Sequence, residues 1–327
     1  ADRLGCYGYG KETSPALDRF AGEAALFEHA VAQASVTPVS HASILTGLNP
    51  YRHQLRSLHG GRSYALPEDR LTLAELMAAN GMRTAAFVSA FPASRHFGLQ
   101  QGFDVWDEDF SPPDEEKVLT RSGFVNTGRA QRRADETTNR ALSWLRLNTT
   151  DPFVLWIHYF DGHDPLIRPP REDLARFPAE SSSRRDQLLA IYDAEIAYVD
   201  SQIGRVLKLL DEKSARDRTV IAVVADHGEG LGDHGWWGHS LLYQEQLRVP
   251  FILSAPNQGW SGRVTALVRT IDLLPTVVDL MDLECSQGSC DFDGQSLRRA
   301  IETNSAEPRV AYSESINDLS AYYDSPL

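Results

Sequence analysis

The sequence is poor in cysteine and in positive charge, and it lacks long hydrophobic runs. Three of its 327 residues are cysteines, and 32 Lys and Arg residues stand against 45 Asp and Glu residues, which gives a net charge of −13. Nucleic-acid binding needs a concentrated positive patch, whereas the basic residues of this chain are dispersed. No apolar run approaches the length of a membrane span. We therefore expect no nucleic-acid partner and no membrane span in this chain.

The few cysteines leave the redox environment open. We expect Cys6, which follows a leucine and a glycine, to be a buried small hydrophobe. Cys285 and Cys290 lie in a turn-rich segment that could close a small disulfide loop. A disulfide would indicate an oxidising compartment, whereas two reduced surface thiols would not. We favour a periplasmic or extracellular protein, and zinc at these cysteines is disfavoured because no second Cys or His pair lies nearby.

Apolar runs alternate with amphipathic stretches along the chain, which predicts an α/β fold. A mostly parallel central sheet would be covered on both faces, as in a three-layer αβα sandwich. The predicted strands are 84–89, 153–158, 220–225 and 249–254, and in the last of these Pro250 should delay the start of pairing. The predicted helices are 71–80, 135–147, 185–212 and a helix that follows Thr270, as its N-cap, to residue 281.

Two segments are predicted to be surface excursions, because they are rich in charge, proline and serine: 106–130 and 165–184. The chain contains no internal repeat and no clear linker. We therefore predict one domain over residues 1–327.

Polar residues follow the third predicted strand abruptly. The apolar run ends at Asp226 and His227, and five glycines and two more histidines, His234 and His239, come next. The carboxyl end of a strand in an open α/β sheet faces the ligand crevice, and a carboxylate beside an imidazole suits a divalent cation. The pattern predicts a metal site at Asp226 and His227. The alternative is a polar loop whose histidines are solvated.

A second segment, 37–47, combines the residues that begin and end a short helix. Thr37 suits the N-cap, Pro38 the first helical position and Gly47 the C-terminal cap. The amino end of such a helix favours a phosphate or sulfate group. A threonine hydroxyl becomes a competent nucleophile when a divalent cation coordinates its oxygen, so Thr37 and the predicted metal pair support each other. The alternative is that Thr37 only caps the helix.

Together these segments resemble the sulfatase-like branch of the alkaline phosphatase superfamily. Segment 37–47 corresponds to the sulfatase pattern that begins with Cys or Ser and continues with Pro-Ser-Arg, although Thr37, Val39 and His41 stand at the Cys/Ser, Pro and Arg positions. Further similar segments are 2–8, 71–104 with its final Gly-Phe-Asp, 158–165 and 226–239. The resemblance implies an alkaline phosphatase-like fold.

The resemblance also assigns roles to particular residues. Thr37 matches the nucleophile, which is itself a metal ligand, and Asp226 and His227 match the metal pair. His163 and His239 match histidines that contact the transferred group or assist proton transfer. We expect a single divalent metal ion, because Asp161-Gly-His163 departs from the Asp-x-x-x-His pattern of dinuclear relatives. A histidine ligand favours Zn²⁺ or Mn²⁺, with Ca²⁺ or Mg²⁺ as alternatives.

His41 and His234 match the family less closely. His41 is predicted to bind substrate, and either residue could instead orient its neighbours.

The departures from the sulfatase pattern determine the predicted reaction. Threonine cannot give the aldehyde hydrate that sulfatases form from Cys or Ser, and residues 90–94 lack the Lys-x-His element of true sulfatases. We therefore predict a metal-dependent hydrolase or transferase that acts on phosphate esters or diesters through a threonine nucleophile. The substrate would be a small-molecule, lipid or glycan ester. The alternatives are a sulfate-ester hydrolase and a non-catalytic binding domain that keeps the fold.

The ends of the chain also differ from the superfamily pattern. There the first strand ends in an acidic metal ligand before the segment that corresponds to 2–8, and a small sheet follows the region that corresponds to 311–315. We expect this chain to lack both, as a fragment trimmed at both ends that binds metal weakly or not at all. Asp2 matches a later Asp that is not a ligand.

Overall fold

The computed structural model describes residues 2–57, 65–110, 131–163, 168–285, 290–304 and 309–316. Within these ranges the helices are α1 Pro15–Gly22, α2 Thr37–Thr46, α3 Pro50–His53, α4 Leu73–Ala79, α5 Ala134–Asn148, α6 Arg171–Arg176, α7 Arg184–Glu212, α8 Gln244–Leu247, α9 Leu273–Met281 and α10 Arg298–Thr303. The strands are β1 Ala25–Val31, β2 Arg83–Phe87, β3 Val105–Asp107, β4 Phe153–Ile157, β5 Ile221–Val224, β6 Gly230–Leu231, β7 Trp237–Gly238, β8 Arg248–Val249, β9 Phe251–Ser254 and β10 Gly262–Arg269.

The described strands form two sheets and a short hairpin. The larger sheet has the order β10-β1-β9-β5, with β8 also paired to β1. In it β1 runs parallel to β10, whereas β9 runs antiparallel to both β1 and β5. The smaller sheet, β3-β2-β4, is entirely parallel, and β6 and β7 form an antiparallel hairpin. The predicted α/β fold is confirmed, with a mixed larger sheet and a parallel smaller one.

The larger sheet is covered on both faces. Successive side chains of a strand point to opposite faces, so Leu26 and Phe27 of β1 enter different clusters. Phe27 packs on Phe251 at a ring distance of 4.9 Å, in a cluster closed by α9 and α10. Leu26 packs with Phe20 of α1 and Leu207 of α7. The arrangement has the helix–sheet–helix layering predicted from the alternating pattern.

The predicted helices agree with α4, α5, α7 and α9 to within two residues, apart from the start of the last one. Thr270 is not the N-cap of α9, because a 3-10 turn over Thr270–Asp272 comes first. The Thr270 hydroxyl instead donates to the side-chain oxygen of Gln33. Pro250 falls between β8 and β9, so pairing resumes after it as predicted, although β8 already pairs with β1.

Five of the described strands are absent from the predicted set: β1, β3, β6, β7 and β10. In β1 the charged and polar residues Glu28 and His29 interrupt the apolar run, and β10 alternates exposed and buried positions. Trp106 and Asp107 were predicted to begin a surface excursion, but they belong to β3 and pair with β2. Residues 111–130 and 165–167 of the two excursions lie outside the described residues.

The cysteines take two forms. Cys285 and Cys290 are joined by a disulfide, with their Cα atoms 5.6 Å apart, a Cα separation that is usual for disulfides. Cys6 is half-buried rather than buried, and burial is the main cause that raises the pKa of its thiol to about 12. The periplasmic or extracellular location stays a prediction. Among the helices of the described ranges, none is both long and apolar enough to cross a membrane.

Candidate active site

The predicted metal pair lies at the carboxyl end of β5, next to the amino end of α2. His227 Nδ1 is 2.9 Å from the carbonyl oxygen of Gly228. A carbonyl only accepts hydrogen bonds, so Nδ1 carries the proton and Nε2 of the neutral ring has a lone pair. That Nε2 lies 3.1 Å from Thr37 Oγ1 and 3.4 Å from Asp226 Oδ2. The structure thus brings Thr37, Asp226 and His227 together, as predicted.

Thr37 is the first residue of α2 and not its N-cap. Val36 precedes the helix in extended conformation, and no side chain caps this end. The prediction that Thr37 caps the helix is wrong, because its buried hydroxyl bonds His227 and not a backbone N–H group. The other end agrees with the prediction, since Gly47 has φ 67° and its N–H donates to Ser43 O.

The donors around His227 Nε2 fit a divalent cation. Two ligand atoms that share a tetrahedral metal at about 2.0–2.2 Å lie roughly 3.3–3.6 Å apart, close to the separations found here. A lone pair of Nε2 faces the Asp226 carboxylate, an arrangement that a cation between them would stabilise. The Nδ1–H bond to a carbonyl is the support that metal-bound histidines usually have.

Asp226 and His227 are two of the protein ligands that such an ion would need. Among the described residues, no cluster of three His, Cys, Asp or Glu side chains is arranged to hold a metal. The hydroxyl oxygen of Thr37 would be the third donor from the chain.

His163 and His239 form a bonded pair beside this center. Their Nε2 atoms are 2.8 Å apart, and His239 Nδ1 is 2.7 Å from Ser35 O. Because Nδ1 of His239 donates to that carbonyl, the short Nε2–Nε2 contact holds one proton between the two rings. Phe160 stacks on His163 at 4.3 Å, and the ring of His239 lies 4.4 Å from that of His227. The structure therefore places the two residues predicted to transfer protons on one hydrogen bond.

His41 lies behind Asp226. Its side chain is buried between Trp156 and His158, with ring distances of 5.1 and 4.9 Å. Its Nε2 is 3.5 Å from Asp226 Oδ2 and makes no hydrogen bond. This position suits a residue that orients the carboxylate, and the predicted contact of His41 with substrate stays a prediction.

His234 is outside the center. It lies on the turn between β6 and β7, stacks on Tyr243 at 4.2 Å and is 3.7 Å from Glu245.

A cavity of about 150 Å³ opens next to these groups. Its wall includes three residues to which the sequence assigned no site role, and they are His158, Tyr192 and Glu229. Tyr192 lies on the apolar face of α7, where the spacing of apolar residues predicts only a role in the core. Glu229 follows the metal pair closely, and burial, together with the charge of Asp226, raises the pKa of its carboxyl to about 8. Only the proximity of these three residues to Asp226 in the folded chain indicates a role at the site, and the sequence contains no signal of that proximity.

The charges of the center are strongly coupled. Burial opposes ionisation of Asp226, but His227, His41 and His158 outweigh it and lower the pKa of the carboxyl. Burial lowers the pKa of His41, and it lowers the pKa of His158 and of His239 to about 3, so these rings are neutral near pH 7. A cation bound beside Asp226 would further stabilise the ionised form of its carboxyl.

Comparison with known proteins agrees with this geometry. A model of the sulfatase family matches residues 1–283. Mouse iduronate 2-sulfatase is 24% identical over 429 aligned positions, which cover 99% of this chain and 76% of that protein. N-acetylglucosamine-6-O-sulfatase of Bacteroides thetaiotaomicron is 28% identical over 193 positions, which cover 59% of this chain and 32% of that protein. The chain thus spans about a third of the second relative.

Two solved structures share the fold. The phosphonate monoester hydrolase of Silicibacter pomeroyi superposes with a TM-score of 0.67 at 23% identity, over 88% of this chain and 72% of that one. A protein solved in complex with its substrate D-glucosamine-2-N,6-O-disulfate superposes with a TM-score of 0.73 at 20% identity, over 97% and 82%. At these identities the likeness concerns the fold alone. Since the family match spans most of the chain and both segments that carry the candidate center, this protein belongs to the sulfatase family.

Proposed function

We propose that this protein is a metal-dependent hydrolase of sulfate esters with Thr37 as its nucleophile. The observation that carries the proposal is the 3.1 Å contact of Thr37 Oγ1 with His227 Nε2, beside Asp226, in a chain of the sulfatase family. Relatives named as sulfatases, and a neighbour solved with a sulfated glucosamine as its substrate, support a sulfated glycan as substrate. These comparisons favour sulfate esters over the phosphate esters that the sequence ranked first.

The residues of the chain suggest a two-step reaction. Thr37 Oγ1 attacks sulfur in line, the ester S–O bond breaks, and the departing alcohol oxygen takes the proton shared by His163 and His239. The proton lost by Thr37 restores that pair. Water then attacks sulfur, and the bond from sulfur to Thr37 Oγ1 breaks. The threonine oxygen takes one proton of the water, and hydrogen sulfate leaves and gives its remaining proton to solvent.

A divalent cation held by Asp226, His227 and Thr37 would act as a Lewis acid that stabilises the alkoxide of the threonine. The free N–H groups at the amino end of α2 favour the anionic oxygens of the ester.

Phosphate or phosphonate esters are a second candidate, favoured by Thr37 itself. A threonine cannot supply the aldehyde hydrate of true sulfatases, and a phosphonate monoester hydrolase shares the fold. The same two steps at phosphorus would pass through a phospho-threonine.

An activity panel tests both candidates. The protein is assayed on aryl sulfates, aryl phosphate diesters and aryl phosphonate monoesters with Mn²⁺, Zn²⁺, Ca²⁺ or Mg²⁺. We expect sulfate turnover that Thr37→Ala lowers by about 10³-fold or more, while Thr37→Ser retains part of it. Mass spectrometry of the peptide that contains residue 37, after rapid quenching, identifies a sulfo or phospho adduct.

Each other outcome has a definite meaning. A preference for phosphorus esters would select the second candidate. Equal rates for the wild type and Thr37→Ala would exclude the nucleophile. Metal binding without turnover of any ester would support a non-catalytic binding domain.

A further inference from the structure

His158 follows β4 directly and is held by the neighbouring strand. Its backbone N–H donates to Phe87 O at 2.9 Å, which continues the pairing of β4 with β2. The residue is 6% exposed, and that remaining surface lies on the wall of the cavity beside Asp226 and His227. A buried imidazole at this position is therefore oriented by the sheet and faces the candidate center.

The hydrogen bonds of His158 determine which nitrogen carries its proton. The backbone N–H of Ser89 donates to His158 Nδ1 at 3.3 Å, so Nδ1 is an acceptor and the neutral ring carries its proton on Nε2. Within the described residues, Nε2 has no hydrogen-bond acceptor. A ligand oxygen in the cavity that His158 lines would accept a hydrogen bond from this N–H.

The same bond excludes proton transfer by this ring. To accept a proton, His158 would have to take it on Nδ1, which Ser89 already occupies. To donate one, it would have to leave an imidazolate. His163 and His239 differ, because they share a proton that can move to a departing oxygen.

The cavity wall offers few other donors to an anion. Its lining includes the Asp226 carboxylate, and it includes no Lys or Arg among the described residues. An ester group with negative oxygens therefore needs neutral N–H donors on this side. His158 supplies one from a position that two backbone hydrogen bonds hold in place.

We infer that His158 binds substrate: its Nε2–H donates a hydrogen bond to a non-bridging oxygen of the sulfate or phosphate group at the center. The inference rests on the proposed function, because it assumes an anionic ester in this cavity. Preorganised donors of this kind contribute most where charge develops during the reaction.

Three substitutions separate the two ring nitrogens. The amide nitrogen of His158→Gln lies near the position of Nε2 and keeps the donor. The amide oxygen of His158→Asn lies near the position of Nδ1 and keeps the acceptor for Ser89, but the side chain is too short to reach the ligand. His158→Ala removes both groups, and His234→Ala, outside the center, is the control.

The first measurement is the affinity for inorganic sulfate and phosphate by calorimetry, with divalent metal present. We expect His158→Asn and His158→Ala to weaken anion binding by about 10-fold or more, and His158→Gln to stay within about three-fold of the wild type. The second is kcat/KM against pH on the best ester of the panel. His158→Gln should keep both limbs of the profile, because His158 transfers no proton. Thermal unfolding monitors folding of each variant.

The inference fails if His158→Asn binds the anions as well as the wild type, if the wild type binds neither anion, or if a limb of the pH profile disappears in His158→Gln. Anion binding that depends on Nε2 in a protein without turnover would leave the inference standing and overturn the proposed function. Unchanged turnover in His158→Asn would leave the proposed function standing and overturn the inference.

Discussion

At the scale of single residues, one carbonyl oxygen determines what the center can do. Gly228 O accepts the Nδ1 proton of His227, which leaves the Nε2 lone pair directed to Thr37 and Asp226. With the other tautomer, Nε2 could neither accept the hydrogen bond of the Thr37 hydroxyl nor bind a cation. The nature of Thr37 alone therefore does not make it reactive, and its reactivity depends on the loop that follows β5.

Removal of His227 should strongly weaken the affinity for a divalent metal ion. We expect His227→Ala to weaken the affinity for Mn²⁺ or Zn²⁺ by more than about 100-fold, since even residues that only support metal ligands contribute 10–100-fold. Calorimetric titration measures the change. His234→Ala, seven residues away on an exposed turn, should bind metal as the wild type does. Unchanged affinity in His227→Ala would show that the ion binds elsewhere.

At the scale of elements, helix ends are stabilised by residues distant in the chain. Asp200 of α7 accepts hydrogen bonds from the N–H groups of Ala16 and Leu17, at 2.9 and 2.8 Å, and so caps the amino end of α1. Asp200 is 2% exposed. Burial is the main cause that raises the pKa of its carboxyl to about 6.

This raised pKa predicts a pH dependence of stability with a definite sign. Between the unfolded pKa, about 4, and the folded value of about 6, the folded state binds more protons than the unfolded state. The free energy of unfolding contributed by Asp200 therefore falls as the pH rises through this window and is constant above it. Urea unfolding of the wild type and Asp200→Asn from pH 4 to pH 7.5 measures the difference.

In Asp200→Asn the free energy of unfolding should no longer fall with pH in this window. Asp217→Asn, on an exposed turn, should show the same fall as the wild type. A difference that instead grows with pH would mean that the hydrogen bonds from α1 outweigh burial.

At the scale of the whole molecule, the last described segment connects the loops that hold the candidate catalytic groups. Glu314 N donates to Gln33 O, and Ser315 Oγ donates to Ser240 O. Gln33 precedes Thr37 on the chain, and Ser240 follows His239. Arg56 anchors the segment through two hydrogen bonds to the Glu314 carboxylate, at 2.7 and 2.8 Å.

Loss of the Arg56–Glu314 pair should therefore reach the center indirectly. In a double-mutant cycle of Arg56→Ala and Glu314→Ala, we expect a coupling of about 1 kcal/mol in the free energy of unfolding, since one partner is half-exposed. Hydrogen exchange of residues 313–315 should accelerate, and kcat should fall while metal affinity is kept. Additive single effects would contradict this role.

The sequence by itself determined the α/β class, the helices α2, α4, α5, α7 and α9, and the two segments that carry Thr37, Asp226 and His227. Periodic apolar spacing, glycine and proline positions, and abrupt polar residues after an apolar run are local signals, and each can be read without the fold. The strand β1 was missed because Glu28 and His29 interrupt its apolar run, and the fold satisfies Glu28 through Arg248 and Arg263 from other strands.

Only the tertiary structure decided how the site is assembled. The proton shared by His163 and His239, the position of His41 behind Asp226, and the Nε2–H tautomer of His158 all depend on contacts between residues far apart in the chain. A tautomer is set by the partner of the other ring nitrogen, and that partner is often a backbone group of another element, as Ser89 and Ser35 are here. Backbone N–H and C=O groups are the same in nearly every residue type, so the amino-acid sequence does not show which of them will contact a given side chain in the folded protein.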